Sequence, residues 1–173
     1  MKAIVLFDTL FGNTEKIAHS VTKGLQKAGV EAECVNIRAA NVEKLHEYDL
    51  LALGAPTQYF TASKSMKDFL DRMVELDLKG RCSFAFDTKL DSFMAGSGAK
   101  FIEKRLRESG LDIIRKRGSA LVIGQKQKEA KKDTLSNATG KVVLKEGMEN
   151  QFEAIGEELG ELLQTSKRKV VGV

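Results

Sequence analysis

Short apolar segments alternate with amphipathic helical patterns along almost the whole of this sequence. The first segment, from Ala3 to Phe7, is apolar throughout, which is typical of a strand buried on both faces. Five such strand-like segments span residues 3–7, 31–37, 49–55, 82–86 and 120–123. Helical patterns lie between and after them, at residues 14–28, 42–47, 63–74, 100–108 and 149–164. This alternation predicts an α/β fold, a three-layer α-β-α sandwich around a five-stranded parallel sheet.

The segments outside this alternation are predicted as loops, an edge or a tail. Pro56, the only proline, is expected to end the third strand, and residues 87–98 are expected to form a loop. Residues 125–141 are polar and charged and are predicted as a surface segment, after which residues 142–144 resume the sheet edge. We therefore expect one domain at residues 1–165 and a basic C-terminal tail at residues 166–173.

The composition fits a globular domain that has its own core. The chain has 173 residues, of which 42% are hydrophobic and 30% are charged. Cys34 and Cys82 have no metal-site spacing and are expected to be free thiols, which indicates a cytoplasmic protein. No apolar run reaches the roughly 18 residues that a membrane-spanning helix needs, and no signal-peptide cleavage site follows the first segment. We therefore expect no insertion into a membrane.

Positive charge is concentrated in one part of the sequence. The net charge is +4, and residues 100–132 contain eleven Lys or Arg against four acidic residues. Such a stretch suggests nucleic acid or an acidic protein as a partner. Glu103 and Glu108 lie among the bases of the helical pattern, which favours a solvated helix face, so nucleic acid is not the expected partner.

The loop after the first strand is the first candidate ligand site. Ligands of open parallel sheets bind outside the carboxyl ends of the strands. Here two threonines, an asparagine and Gly12 lie between a buried strand and a helix start, where free backbone N–H groups attract anions. No Lys or Arg occurs from position 3 to position 15, so an anion there would be bound by neutral donors alone. A plain strand–helix turn, with Asn13 or Thr14 as the helix cap, explains the same residues.

Thr9-Leu10-Phe11-Gly12-Asn13-Thr14 resembles the phosphate loop of flavodoxins, Thr/Ser-x-Thr-Gly-x-Thr. Asp8-Thr9 followed by an apolar pair before Gly12 is most similar to the flavodoxin modules of flavodiiron proteins, the type-A flavoproteins. Phe11 departs from the family pattern because it replaces a hydroxyl residue. The resemblance extends over nearly the whole chain and implies the strand order 2-1-3-4-5 and non-covalently bound FMN.

The resemblance also implies which residues bind the cofactor. In the family, the loop after the third strand flanks one face of the flavin ring, so Tyr59 is expected to stack on it. The loop after the fourth strand meets the pyrimidine edge, where Lys89 would stabilise a reduced flavin; a solvated surface lysine is an equal alternative. The expected cofactor-binding residues are Thr9, Leu10, Phe11, Gly12, Asn13, Thr14, Pro56, Thr57, Gln58, Tyr59, Phe60, Asp87, Thr88, Lys89 and Leu90.

Three functions follow from these observations. The first is an FMN-binding electron-transfer protein that exchanges electrons with redox partner proteins and has no catalytic acid, base or nucleophile of its own. The second is a flavin-dependent NAD(P)H:quinone-type reductase, which has the same fold but for which the sequence offers no obvious nicotinamide site. The third is a flavin-free binding module that uses the basic surface. We expect the first.

Overall fold

A parallel sheet with helices on both faces forms the centre of the molecule. The computed structural model describes residues 1–92, 94–124 and 142–171, with side chains up to residue 168. The strands are β1 (Lys2–Phe7), β2 (Glu31–Asn36), β3 (Leu50–Gln58), β4 (Thr61–Ala62), β5 (Cys82–Leu90), β6 (Asp112–Ile113), β7 (Gly118–Gly124) and β8 (Val142–Leu144). The helices are α1 (Asn13–Lys27), α2 (Lys64–Met73), α3 (Gly98–Glu108) and α4 (Met148–Val171), with a 3-10 helix at Val42–Glu47.

The order of the strands confirms the predicted topology. The main path of the sheet runs β2-β1-β3-β5-β7-β8, and its first five strands pair in parallel. These five are the predicted strands in the order 2-1-3-4-5. The sheet gains an antiparallel edge strand, β8, which corresponds to the resumed edge expected at residues 142–144. The two-residue strands β4 and β6, which the sequence did not predict, pair with β3 and β5.

Two hydrophobic cores lie on opposite faces of the sheet. Side chains alternate between the faces along each strand, so Val5 and Leu6 of β1 belong to different cores. One core is covered by α1 and α4, whose buried residues include Leu25 and Phe152. The other core is covered by α2 and α3, which contribute Phe69 among others. The result is the predicted three-layer sandwich.

Three elements extend by three or more residues beyond their predicted C-terminal ends. β3 continues through Pro56 to Gln58, because its pairing with β1 ends at Gly54 and no β1 residue there needs the N–H that proline lacks. β5 continues to Leu90 instead of giving way to a loop after residue 86, because β7 pairs with it from Phe86 to Leu90.

The last helix also passes its predicted end at residue 164. α4 runs to Val171, so most of the predicted tail is helical. Within this extension, Lys167 Nζ lies 2.7 Å from Asp49 Oδ1, next to the start of β3. The ion pair attaches the end of α4 to the sheet. The predicted division into residues 1–165 and 166–173 remains a prediction.

The two cysteines are free thiols, as predicted. Burial raises the pKa of Cys34 to about 11 and also raises that of Cys82, so both are protonated at neutral pH. None of the described helices combines the length and the apolar character needed to cross a membrane. The predicted surface segment at residues 125–141, and with it part of the basic stretch, lies outside the described residues.

Candidate functional site

A cavity of about 200 Å³ opens at the carboxyl ends of the central strands. Its walls come from the β1–α1 loop and from the ends of β3, β5, β7 and β8. The lining residues are Thr9, Leu10, Phe11, Asn13, Thr14, Pro56, Thr57, Gln58, Thr88, Lys89, Leu90, Val122 and Val142. The cavity therefore lies where ligands of open parallel sheets bind.

The β1–α1 loop places an uncapped helix N-terminus at the cavity. Gly12 is the N-cap residue of α1 and has a φ of 81°, a left-handed conformation that glycine adopts without strain. Thr9 Oγ1 accepts a hydrogen bond from Gly12 N at 2.9 Å, which closes the turn. No side chain caps α1, whereas serine side chains cap α2 and α3. The first N–H groups of α1, which have no acceptor within the helix, are therefore available to a ligand.

Two hydrogen bonds connect this loop to distant strands. The Oγ1 atoms of Thr14 and Thr88 lie 2.8 Å apart, although the residues are 74 positions apart in the sequence. Asn13 Nδ2 donates to the carbonyl oxygen of Val142 at 3.0 Å, across 129 positions. Thr14 lines the cavity and is only 1% exposed, so its hydroxyl is shielded from bulk water. The loop is thus held against β5 and β8.

The turn between β3 and β4 presents two exposed aromatic rings. Tyr59 and Phe60 have φ values of 46° and 69°, which are uncommon for residues with a side chain. Their side chains are 96% and 67% exposed. Gly96 holds the turn in place: it pairs with Phe60, and a Cβ at Gly96 would lie 2.4 Å from the Phe60 Cα atom.

Asp87 is fully buried and ties three segments together behind the cavity. Its Oδ2 atom accepts hydrogen bonds from Thr57 Oγ1 at 3.0 Å, Ser97 Oγ at 2.8 Å and Ala99 N at 2.9 Å. Since Ser97 caps α3, the carboxylate also lies at the positive end of that helix. Asp8, at the end of β1, plays a related part because its Oδ2 atom accepts a hydrogen bond from Ser63, the cap of α2.

One oxygen of each of these two carboxylates has no hydrogen-bond partner among the described residues. The Oδ1 atoms of Asp8 and Asp87 are buried and accept no hydrogen bond from any described residue. Buried polar atoms of this kind are uncommon, and a functional role is one of the explanations for them. Both lie at the strand ends that carry the predicted binding loops.

Lys89 is the only charged residue among the described residues that line the cavity. Its Nζ atom lies 3.4 Å from the carbonyl oxygen of Gly96, a long hydrogen bond that turns the ammonium group toward the 96–98 loop. Lys89 is half-buried, and its ammonium group forms no ion pair with the residues that the structure describes. It supplies positive charge at the β5 side of the cavity.

The structure brings together most of the predicted site residues. Eleven of the fifteen line the cavity. Of the other four, Gly12 forms the turn, Asp87 lies behind the wall, and Tyr59 and Phe60 lie in a neighbouring shallow pocket that shares Thr57 and Leu90 with the cavity. Sequence reasoning missed the lining residues Val122 and Val142 and the supporting residues Asp8, Ser63 and Ser97. The serines carry a detectable signal, because each directly precedes a helix.

Comparisons with known proteins agree with this geometry. The family model for flavodoxin matches residues 5–153. The flavodoxin of Clostridium saccharobutylicum is 32% identical over 98 residues, which cover 56% of this chain and 61% of that protein. The chain thus aligns with about three-fifths of the length of this curated relative.

Solved structures share the fold over nearly the whole chain. A flavodoxin from the domain Archaea superposes with a TM-score of 0.74 at 20% identity and covers 95% of this chain and 99% of its own. The flavodiiron protein of Giardia intestinalis superposes with a TM-score of 0.71 at 19% identity, over 97% of this chain and 37% of that one. With its family model matched over most of the sequence, this chain belongs to the flavodoxin family.

Proposed function

We propose that this protein binds FMN non-covalently in the cavity and transfers electrons between partner proteins. Flavodoxins are flavin-binding electron carriers, which supports the proposal through the family. The observation that carries it is the cavity itself, which joins an uncapped helix N-terminus and buried hydroxyls at one side to a mainly apolar slot at the other. This donor set matches a molecule that has a phosphate at one end and a flat ring at the other.

The phosphate would lie at the start of α1. Backbone N–H groups from Asn13 to Glu15 and the hydroxyls of Thr9 and Thr14 are the donors that this loop offers. The helix dipole adds a positive potential at the same point. Phe11, which stands where the family has a hydroxyl residue, lines the cavity and is 50% exposed. The loop therefore keeps two threonine hydroxyls and adds an apolar wall.

The ring would lie over the neighbouring ends of β3 and β5, which pair as far as Pro56 and Thr88. Pro56, Thr57 and Gln58 line the cavity from β3, and Thr88, Lys89 and Leu90 line it from β5. FMN supplies the redox chemistry, because its ring accepts and releases electrons. The chain's own contribution is to bind and orient the ring and to set its electrostatic surroundings. The positive charge of Lys89 favours the more negative, reduced form of a bound cofactor.

Titration with FMN tests the proposal directly. The purified chain, freed of any bound flavin, is titrated into FMN while flavin fluorescence and absorption are recorded. We expect quenching that saturates at one FMN per chain, and weaker binding of riboflavin because it lacks the phosphate. Unquenched fluorescence with a full excess of protein, together with no flavin retained after gel filtration, would refute FMN binding.

A steady-state assay separates an electron carrier from an enzyme. The FMN-loaded protein is mixed with NADPH or NADH and a soluble quinone, with no added reductase. We expect no turnover above that of free FMN, and rapid electron exchange once a separate reductase is supplied. Sustained NAD(P)H oxidation without a reductase would instead identify a quinone reductase.

A further inference from the structure

A second groove, of about 480 Å³, lies beside the turn that carries Phe60. One side of this groove is α3, which contributes Lys100, Lys104 and Arg107 at positions that share a helix face. Arg117, just before β7, contributes a fourth cation. The positive side chains of consecutive helical turns thus converge on one groove, which we call the basic groove.

The one carboxylate in the basic groove serves to fix its arginines. Glu103 Oε2 accepts a hydrogen bond from Arg117 N at 2.9 Å, and its Oε1 atom lies 3.3 Å from Arg117 Nη1 and 3.4 Å from Arg107 Nη2. The Glu103 side chain is only 12% exposed, so it lies beneath the arginines. Among the described residues, no carboxylate lies within ion-pair distance of Lys100. The groove therefore keeps a surplus of positive charge.

The basic groove is continuous with the mouth of the candidate cofactor cavity. Phe60 lines both the groove and the shallow pocket that shares two residues with the cavity. Around Phe60 lie other exposed large apolar side chains, namely Tyr59, Leu90 and Met94. An exposed apolar centre beside a charged rim is the arrangement of a protein–protein interface.

Charge is strongly asymmetric at this end of the molecule. Five cationic residues line the cavity, the shallow pocket and the basic groove. Among the described residues that line them, Glu103 is the only one with a carboxylate. Outside this lining, Glu108 Oε1 of α3 lies 3.7 Å from Lys104 Nζ, and Glu153 of α4 forms ion pairs with Lys23 and Lys27 of α1. The lining residues themselves thus carry a surplus of positive charge beside the place where the cofactor would be accessible.

We propose that the basic groove and the adjoining aromatic turn dock a protein electron carrier through an acidic face of that carrier. The inference rests on the proposed function, because it requires the cavity to hold a redox cofactor. The basic rim attracts and orients the acidic face, and the apolar patch of Tyr59, Phe60, Leu90 and Met94 excludes water at the centre. The partner is thus defined by its chemistry, a small redox protein that carries surplus negative charge.

Charge reversal tests the docking surface. The FMN-loaded chain is titrated with an acidic [2Fe–2S] ferredoxin as the probe, by calorimetry at about 20 mM ionic strength, where surface charges are weakly screened. We expect Lys100→Glu/Lys104→Glu to weaken the affinity by about tenfold or more. The matched control is Lys44→Glu/Lys79→Glu, which produces the same net charge with two exposed lysines that precede β3 and β5 and so lie at the opposite end of the sheet. We expect the control to change the affinity by less than about twofold.

Several outcomes would overturn the docking proposal. The first is that the wild-type chain does not bind ferredoxin. The second is an equal loss of ferredoxin affinity in both double variants. The third is that duplex DNA or NADPH, at concentrations that saturate the groove, displaces bound ferredoxin. The FMN titration is repeated on every variant, with circular dichroism as the check on folding. If FMN binds but ferredoxin does not, only the docking proposal fails; if FMN itself does not bind, the proposed function fails.

Discussion

The hydroxyl of Thr14 connects the β1–α1 loop to β5 at the wall of the cavity. It is buried, it belongs to the first turn of the uncapped helix α1, and it lies 2.8 Å from the hydroxyl of Thr88. A bound phosphate would gain a neutral O–H donor from it in surroundings shielded from water. Such a hydrogen bond to a charged group contributes about 1.5–3 kcal/mol.

We expect Thr14→Val to weaken FMN binding by about ten- to a hundredfold, because the near-isosteric side chain lacks the donor. Riboflavin binding should be little changed, since riboflavin has no phosphate. Fluorescence titration with both ligands measures the difference. Thr22→Val is the matched control, since Thr22 is a buried threonine of the same helix that does not line the cavity. An equal loss of affinity for both ligands would contradict the assignment of Thr14 to the phosphate.

Asp87 acts through the residues around it. Replacement by alanine would leave the hydroxyls of Thr57 and Ser97 and the N–H of Ala99 without their common acceptor. We expect Asp87→Ala to lower the free energy of unfolding by about 3–5 kcal/mol, and Asp87→Asn, which keeps one carbonyl acceptor, to lower it by less. Urea denaturation followed by circular dichroism gives both values. Equal stabilities of the two variants and the wild type would show that the network contributes nothing.

At the scale of elements, α1 and α4 approach each other through glycines. A Cβ at Gly156 would lie 2.2 Å from the carbonyl oxygen of Val21, and one at Gly24 would lie 2.0 Å from that of Glu153. Backbone atoms cannot move aside as a flexible side chain can. The close packing of these two helices over one core therefore depends on having glycine, which has no Cβ, at positions 24 and 156.

We expect Gly156→Ala to destabilise the protein by about 1–3 kcal/mol, although alanine alone would favour the helix by about 1 kcal/mol. The clash outweighs the helix propensity because both helices would have to shift against the sheet. Gly124→Ala is the control, since a Cβ there meets no described atom within 4 Å. Thermal denaturation compares the two. A Gly156→Ala variant that is more stable than the wild type would show that the helices are free to separate.

The ion pair at the end of α4 predicts a pH dependence. Burial raises the pKa of Asp49, but the hydrogen bond from Lys167 and that from the Lys2 backbone N–H outweigh it and hold the pKa below its ordinary value of 3.8. A carboxyl whose pKa is lowered by folding adds stability above its unfolded pKa and loses it as the pH falls through the folded pKa. The extension of α4 past the predicted boundary at residue 165 is thus tied to the sheet by a charge.

We expect Lys167→Met to cost up to about 1 kcal/mol of unfolding free energy near neutral pH, because the pair is partly exposed. The difference from the wild type should shrink as the pH falls below about 4, where Asp49 becomes protonated in the unfolded chain and then in the folded one. Lys44→Met, at an exposed lysine outside the described ion pairs, is the control. Urea denaturation at several pH values measures the effect, and a difference that persists unchanged at low pH would count against the pair.

At the scale of the whole molecule, the cavity joins segments from most of the sheet. A ligand that contacts the β1–α1 loop, β3, β5, β7 and β8 together binds the folded chain and not the unfolded one. We therefore expect FMN at about a hundred times its Kd to stabilise the fold by about 2.7 kcal/mol and to raise the Tm accordingly. Scanning calorimetry with and without FMN measures the shift, and AMP, a phosphate-bearing ligand without a flavin ring, is the control. No rise in Tm at saturating FMN would contradict binding to the native state.

The sequence by itself determined the layers of the fold and the location of the candidate site. Apolar runs and helical periods are local properties, so they identified the strands, the helices and the β1–α1 loop before any contact was known. The resemblance of residues 9–14 to the flavodoxin phosphate loop then indicated a flavin phosphate as the expected ligand. The sequence could not show how far the strands continue. Residues 87–90, Asp87-Thr88-Lys89-Leu90, have the polar composition of a loop but belong to β5.

Only the tertiary structure decided which residues meet. The pairing of β5 with β7 makes residues 87–90 part of a strand, and the register of the sheet brings Thr14 to Thr88 and Asn13 to Val142. The same packing places Tyr59 and Phe60 outside the cavity. It also brings three cations of α3 and Arg117 to one groove, and it joins the end of α4 to Asp49 through an ion pair. These contacts join positions far apart in the chain. They depend on how neighbouring strands align and not on the local composition of either partner, which is why no segment read alone could reveal them.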